Sequence, residues 1–206
     1  NVTISSIPQN NYYLAGNPYT KTIDWDDISK TNLSSVISVW DDASSDWKTY
    51  NGTSGDLANG LISPFQGFWI QALGGVGSFT IETDDIATSS TSFFRNVEEQ
   101  NSFINFSITN GNKIDNIYFT FDSTSSIGYD LKDAIKLVPL TKSPRIAAMI
   151  INEEKTFKIN SLPSSYDSMM TFPLQILSLV LDSVGNYVGI KDSLILSFNA
   201  TYLPED

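Results

Sequence analysis

The chain has 206 residues, no cysteine and no histidine, and 12 Lys plus Arg against 23 Asp plus Glu, for a net charge of −11. Without imidazole or thiol there is no His general base, no Ser-His-Asp triad, no thiolate nucleophile and no Cys/His zinc site. The charge has the wrong sign for nucleic acid or an anionic membrane surface, which recruit cations; hard-cation chemistry on carboxylate and carbonyl oxygens stays open.

The hydrophobic share of 41% is that of a globular chain, and the length allows one large all-β domain or two small ones. The apolar run Phe172–Leu181 is broken by Pro173, Gln175 and Ser178 and is too short to span a bilayer, so no membrane insertion is expected. With no initiator Met and no signal segment, the chain reads as part of a longer polypeptide.

In chain order, Asn1–Ile7 alternates as a first strand and Tyr12–Ala15 as a second, which stops at Gly16-Asn17-Pro18. Asn17 there reads as a structural residue that satisfies turn backbone. Thr22–Ile28 reads as one helical turn, with Thr22 as cap and acids in the first turn. Val36–Trp40 and Asp46–Tyr50 read as paired strands around the loop Asp41–Ser45. Ser63–Ala72, the most aromatic run, reads as a central strand covered on both faces. Gly67 in its middle points to a ring, such as Trp25 or Trp40, packed over that spot. Ser78–Glu82 is a further strand, and Thr83–Ser92 a polar connector. Phe103–Ile108, Ile117–Phe121, Ala134–Leu140, Arg145–Ile151, Thr156–Ile159, Phe172–Leu181, Tyr187–Ile190 and Leu194–Phe198 continue the series.

Strands about ten residues apart, with turn residues between them, predict an all-β, antiparallel β-sandwich of jelly-roll type with at most one or two short helical turns. The expected organisation is a single composite sandwich over 1–206. The alternative is two β subdomains over 1–86 and 93–206.

Leu14-Ala15-Gly16-Asn17-Pro18-Tyr19, Ile23-Asp24-Trp25, Trp40-Asp41 and Ile62-Ser63-Pro64-Phe65-Gln66-Gly67-Phe68-Trp69-Ile70 occur in that order. Together they resemble a β-sandwich module of secreted and cell-surface Bacteroidetes proteins that commonly precedes a type IX secretion sorting domain. Asp130, Asp133–Leu137, Ile159–Pro163 and Phe172-Pro173-Leu174 extend the resemblance through the second half. Thr20, where that module often has Pro, departs from the pattern, and the Asp130–Asp133 spacing is shorter than usual. The resemblance implies an extracellular, non-catalytic structural or adhesion-type module whose partners are neighbouring domains of the same polypeptide. It also makes Asp122-Ser123-Thr124, Asp167-Ser168-Met169, Asp182-Ser183-Val184 and Asp192-Ser193-Leu194 look like O-glycosylation tripeptides, although Asp-Ser is equally a common turn pair.

Two constellations could carry chemistry. Asp24, Asp26, Asp27, Asp41, Asp42 and Asp46 are the densest carboxylates and form a candidate Ca²⁺ set, with a solvated acidic rim as the plainer reading. Trp40, Trp47 and Tyr50 on the hairpin form a candidate row of rings for stacking on sugars, with core packing as the plainer reading. A glycosidase pair finds no support, because the acids lie in loops beside Ser, Thr and Asn, not in apolar surroundings. The sequence therefore predicts a non-enzymatic extracellular module, with a carbohydrate-binding module of a secreted polysaccharide-degrading enzyme as the alternative.

Overall fold

A computed structural model describes residues 1–88, 102–138, 145–165, 169–190 and 193–201. The chain is all-β, as the alternating pattern predicts. Its strands are β1 (Val2–Ile7), β2 (Tyr12–Gly16), β3 (Ile23–Asp24), β4 (Ser29–Thr31), β5 (Ile37–Asp41), β6 (Asp46–Tyr50), β7 (Leu61–Ile62), β8 (Gly67–Gln71), β9 (Gly77–Ile81), β10 (Phe103–Thr109), β11 (Ile114–Phe121), β12 (Ala134–Ile135), β13 (Arg145–Asn152), β14 (Lys155–Leu162), β15 (Leu174–Leu181), β16 (Tyr187–Gly189) and β17 (Ile195–Thr201). They form two compact units. One comprises Asn1–Trp40 and Lys48–Glu99; the other comprises Asp41–Trp47 and Gln100–Asp206. The hairpin tip thus groups with residues far along the chain, which chain order alone does not reveal.

The first unit stacks a sheet of order β1-β9-β4 on one of order β2-β8-β5-β6, with the short pair β3-β7 beside them. Alternation sends Phe79 and Ile81 of β9, Phe68 and Ile70 of β8, and Ile37 and Val39 of β5 into one core with Trp25, Ile23 and Ile62. Strand β8 is central, as its sequence predicts, and Trp25 meets Phe68 edge-on at 5.9 Å. Gly67 has a different neighbour from the expected ring: a Cβ there would meet Leu14 Cδ1 at 3.7 Å. Phe65 lies outside the strand. It sits at φ 58° in a turn closed by Gln66 N–H donating to Ser63 O, and its ring is exposed.

Thr22–Ile28 is not helical. Ile23 pairs with Ile62, and Asp24 Oδ1 accepts Asp26 N–H at 3.0 Å, so a local side-chain turn and a tertiary strand pair win over helix. Asn17 fulfils the role read from its turn. Its Nδ2 reaches the carbonyls of Lys21 (2.8 Å), Ile62 (3.1 Å) and Ser63 (3.0 Å), and its Oδ1 accepts Tyr19 N–H at 2.9 Å. The expected connector Thr83–Ser92 begins as a capped 3₁₀ turn, Thr83–Asp85, in which Asp85 Oδ2 accepts Glu82 N–H; its residues from Ser89 on lie outside the described ones.

The second unit is one curled eight-stranded sheet of order β16-β15-β13-β14-β11-β10-β17, with β12 pairing β14. The β11–β14 pair is parallel, a departure from the all-antiparallel expectation. Curling lets Ile146, Ala148 and Ile150 of β13 share a core with Ile108, Ile117, Phe119 and Phe157. Ala147 and Met149, on the other face of β13, meet Leu179. Strand β17 is an uncharged edge. Leu196 and Phe198 lie on the face of Ile108 and Phe106, and Phe198, 6.1 Å from the Phe106 ring, remains 72% exposed.

Phe68 is fully buried, whereas Phe65, three positions earlier, is exposed. Phe68→Ala is expected to cost about 3–5 kcal/mol by leaving a core cavity, and Phe65→Ala no more than about 0.5 kcal/mol. Denaturant unfolding of the two variants checks both values.

Candidate functional site

The first group of candidate calcium ligands already has a cation among it. Lys30 Nζ donates to the Trp25 carbonyl and, at 3.4 Å, to the Asp26 carbonyl, and lies 4.5 Å above the Trp25 ring. Its charge faces Asp26, Asp24, Asp85 and Asp27. Asp26 Oδ2 accepts the Tyr50 hydroxyl proton at 2.7 Å, while Asp27 points to solvent. Burial raises the Asp24 and Asp26 carboxyls above their ordinary value and lowers Lys30.

The second group serves turns. Asp41 Oδ1 accepts Ala43 N–H at 3.1 Å and its Oδ2 accepts the Ser44 hydroxyl at 2.7 Å. Asp42 is exposed, and its carbonyl accepts Ser45 N–H at 3.2 Å. Asp46 Oδ1 accepts Trp47 N–H at 2.8 Å. Among the described residues, no group of three or more carboxylates is gathered to hold a metal ion.

The aromatic trio does not form a row. Trp47 and Tyr50 are three residues apart, an odd step, so a strand sends them to opposite faces. Tyr50 is 3% exposed within the core of the first unit, packed so closely that a Cβ on Gly60 would come within 2.8 Å of its ring. Trp40 and Trp47 are half-buried. An exposed aromatic ridge occurs elsewhere. On the outer face of β2 and β8, Tyr12 (43% exposed) meets Trp69 edge-on at 6.5 Å, and Leu14 (56% exposed) pairs with Trp69 across the strands. Part of the signal was in the sequence: Tyr12 and Leu14 alternate out of phase with buried Ala15.

The densest chemistry lies inside the second unit, and sequence reasoning missed it. Asp115 on β11 is buried with Lys136, just beyond β12, and Lys158 on β14. Lys136 Nζ donates to Asp115 Oδ2. Ala148 N–H on β13 donates to the same oxygen at 2.8 Å, and Lys158 Nζ stands 3.9 Å from Oδ1. Lys158 also donates to the Trp47 carbonyl at 3.1 Å. Asp46 brings a second carboxylate into the field of Lys158 and Lys136, so two ammonium and two carboxylate groups balance. Burial alone would raise Asp115, but Lys136, Lys158 and the Ala148 N–H outweigh it and hold the carboxyl below its ordinary value; burial lowers Lys136 and raises Asp46. The available signal was a charge set inside apolar strand text, as in Ile114-Asp115-Asn116-Ile117 and Phe157-Lys158-Ile159.

The tripeptides that looked like modification sites serve as turns where they are described. Asp122 Oδ1 accepts Thr124 N–H at 2.8 Å, and Asp182 Oδ1 accepts Val184 N–H at 2.9 Å. Asp167-Ser168-Met169 and Asp192-Ser193-Leu194 fall partly outside the described residues. Comparison with protein-family models, curated proteins and solved structures finds no match to this chain.

Two acids near the sheet carry opposite pH dependence. Asp133 is buried. Its Oδ1 accepts Asn160 Nδ2 (2.9 Å) and Ser161 N–H (2.7 Å), and its Oδ2 accepts Asp130 N–H (2.9 Å), yet burial outweighs these donors and the negative charge of Asp130 adds to it, so its pKa is pushed up to about 6. A raised carboxyl binds more protons folded than unfolded, so its contribution to stability falls as pH rises from its ordinary 3.8 to about 6. Burial works the other way at Asp122, but Lys132 at 2.5 Å and the two Thr124 donors outweigh it and bring the pKa down to about 2. The stability Asp122 contributes is present above pH 3.8 and is lost as pH falls through about 2. A carboxyl ¹³C titration is expected to give Asp133 a midpoint near 6 and Asp122 one near 2; ordinary midpoints for both would remove the effect.

Proposed function

We propose that this chain is a non-catalytic structural, adhesion-type module of a secreted or surface-anchored multidomain protein, acting as a β-rich spacer that presents neighbouring domains outside the cell. The observation that carries this reading is where the ionisable groups go. Asp24, Asp41, Asp122, Asp133 and Asp182 accept backbone N–H groups, and Asp115, Lys136 and Lys158 bond one another inside the sheet. Groups that enzymes leave poised for substrate are here engaged in holding strands and turns. The ordered GNPY, IDW and PFQGFW segments, with their likeness to modules of secreted Bacteroidetes proteins, support the extracellular setting.

In this reading Lys30 is the counter-ion of the Asp24–Asp27 turn, and calcium adds nothing to it. Calorimetric titration with Ca²⁺ after EDTA treatment is expected to give no heat and no change in melting temperature; binding heat with a raised melting temperature would restore the calcium site.

One observation favours carbohydrate binding as a second reading: the ridge of exposed Tyr12 and Leu14 beside half-buried Trp69, where the Tyr12 ring suits the apolar face of a sugar. Pull-down on insoluble polysaccharides separates the two. A spacer passes unretained, whereas retention that Tyr12→Ala abolishes without lowering the melting temperature transfers the assignment to sugar binding.

A further inference from the structure

We propose that Lys136 and Asp115 join through their side chains as an intramolecular amide, with release of one water, making the second unit a self-crosslinking β-domain. The inference does not depend on the spacer or the sugar-binding reading.

Four features of the site prepare this step. The nucleophile and the electrophile are in direct contact, Lys136 Nζ on Asp115 Oδ2, with their side chains 2% and 1% exposed. Bulk water, which drives such a condensation backwards, is kept from both. The carboxyl is polarised from two sides, with the Lys158 ammonium 3.9 Å from Oδ1 and the Ala148 N–H 2.8 Å from Oδ2. The Lys158 ammonium thus lies on the side of Oδ1, where charge develops during acyl transfer, and the Ala148 N–H holds Oδ2, the oxygen that leaves. Asp46 adds a second carboxylate whose negative charge acts on Lys136 and Lys158. Finally, β11, β13 and β14 carry Asp115, Ala148 and Lys158, and Lys136 follows β12, whose Ala134 pairs Ile159 of β14, so paired strands hold all four groups in place. Lys158 is the poorer nucleophile, because it stands farther off and also donates to the Trp47 carbonyl.

The step balances with no further reagent. One ammonium proton of Lys136 passes to Asp115 Oδ2, leaving a neutral amine and a neutral acid. The nitrogen lone pair attacks Cγ, a C–N bond forms, and the carbonyl π pair moves onto Oδ1 beside the Lys158 ammonium. A second proton passes from nitrogen to Oδ2, with which it is already in contact. The Cγ–Oδ2 bond breaks, Oδ2 departs as water with both protons, and the Oδ1 pair restores the carbonyl. The nitrogen keeps one hydrogen as an amide, and the positive and negative charges of the original pair cancel. Nothing is oxidised or reduced.

The test is the intact mass of the full chain under denaturing conditions, followed by a tryptic digest. The expected mass is that of the sequence less one water. The digest should contain a branched peptide joining the Asp115 segment to the Lys136 segment, with no cleavage after the acylated Lys136. Lys136→Arg, which keeps the charge without a competent nucleophile, should return the full mass. A wild-type mass equal to that of the sequence overturns the proposal, because Lys136 and Asp115 are then an ordinary ion pair. A water loss that persists in Lys136→Arg overturns it equally, because dehydration has then occurred elsewhere. The branched peptide is read on the wild-type chain, so the result stands even where a variant fails to fold.

Discussion

The second unit is built around one buried carboxylate. Asp115 cannot lie inside a sheet as a bare anion, because a charge taken out of water must be paired and hydrogen-bonded or it becomes neutral. Its partners come from three other parts of the fold: Lys136 beyond β12, Ala148 N–H on β13 and Lys158 on β14. Such a group specifies register as well as contact. A one-residue slip of β11 against β14 would turn Asp115 to the other face and take from Lys136 and Lys158 the carboxylate they share. The curl of the sheet and the unusual parallel β11–β14 pair are both consistent with strands that must converge on this point.

The first unit meets the same demand with neutral groups. Asn17 carries the burden that Asp115 carries in the second. One amide satisfies the carbonyls of Lys21, Ile62 and Ser63 and the N–H of Tyr19, tying the Gly-Asn-Pro turn to the chain entering β8. Around it the core is apolar and aromatic, with Trp25 against Phe68 and the Trp25 indole N–H donating to the Ser35 carbonyl at 2.6 Å. Lys30 completes the arrangement by shielding the acidic turn from itself. Its acidic residues thus act as local backbone acceptors and as partners of single cations, which accounts for a chain so acidic without gathered metal ligands among the described residues.

The fold was legible in the sequence wherever alternation carried the information. Val36–Trp40 with Asp46–Tyr50, Ser78–Glu82, Arg145–Ile151 and Phe172–Leu181 appear as strands close to where their pattern put them, whereas of Ala134–Leu140 only Ala134–Ile135 is a strand, and its last two residues lie outside the described ones. Composition misled at Thr22–Ile28, where acids beside a Thr imitate a helix start but Ile23 is claimed by Ile62. The two- and three-residue strands β3, β4 and β7 were invisible, because so short a stretch shows no period. Of the candidate sites, parity alone separates Trp47 from Tyr50, whereas the meeting of Asp115, Lys136 and Lys158 depends on long-range pairing that no local pattern encodes. The roles of Asn17 and of Asp122 and Asp182 as turn residues were legible, because Asx turns are local.

Strand β10 pairs with β11 through a short turn and with β17 from the far end of the chain, where Ser197 Oγ donates to the Ser107 carbonyl across a separation of 90 residues. During synthesis the first unit has its whole complement of strands once β9 has emerged, whereas β10 must wait with one flank open until β17 is made. The uncharged stretch Ile195–Thr201 then arrives as the outermost strand of the sheet. Until it docks, the nascent chain offers an unguarded strand flank, a template for any other extended polypeptide nearby.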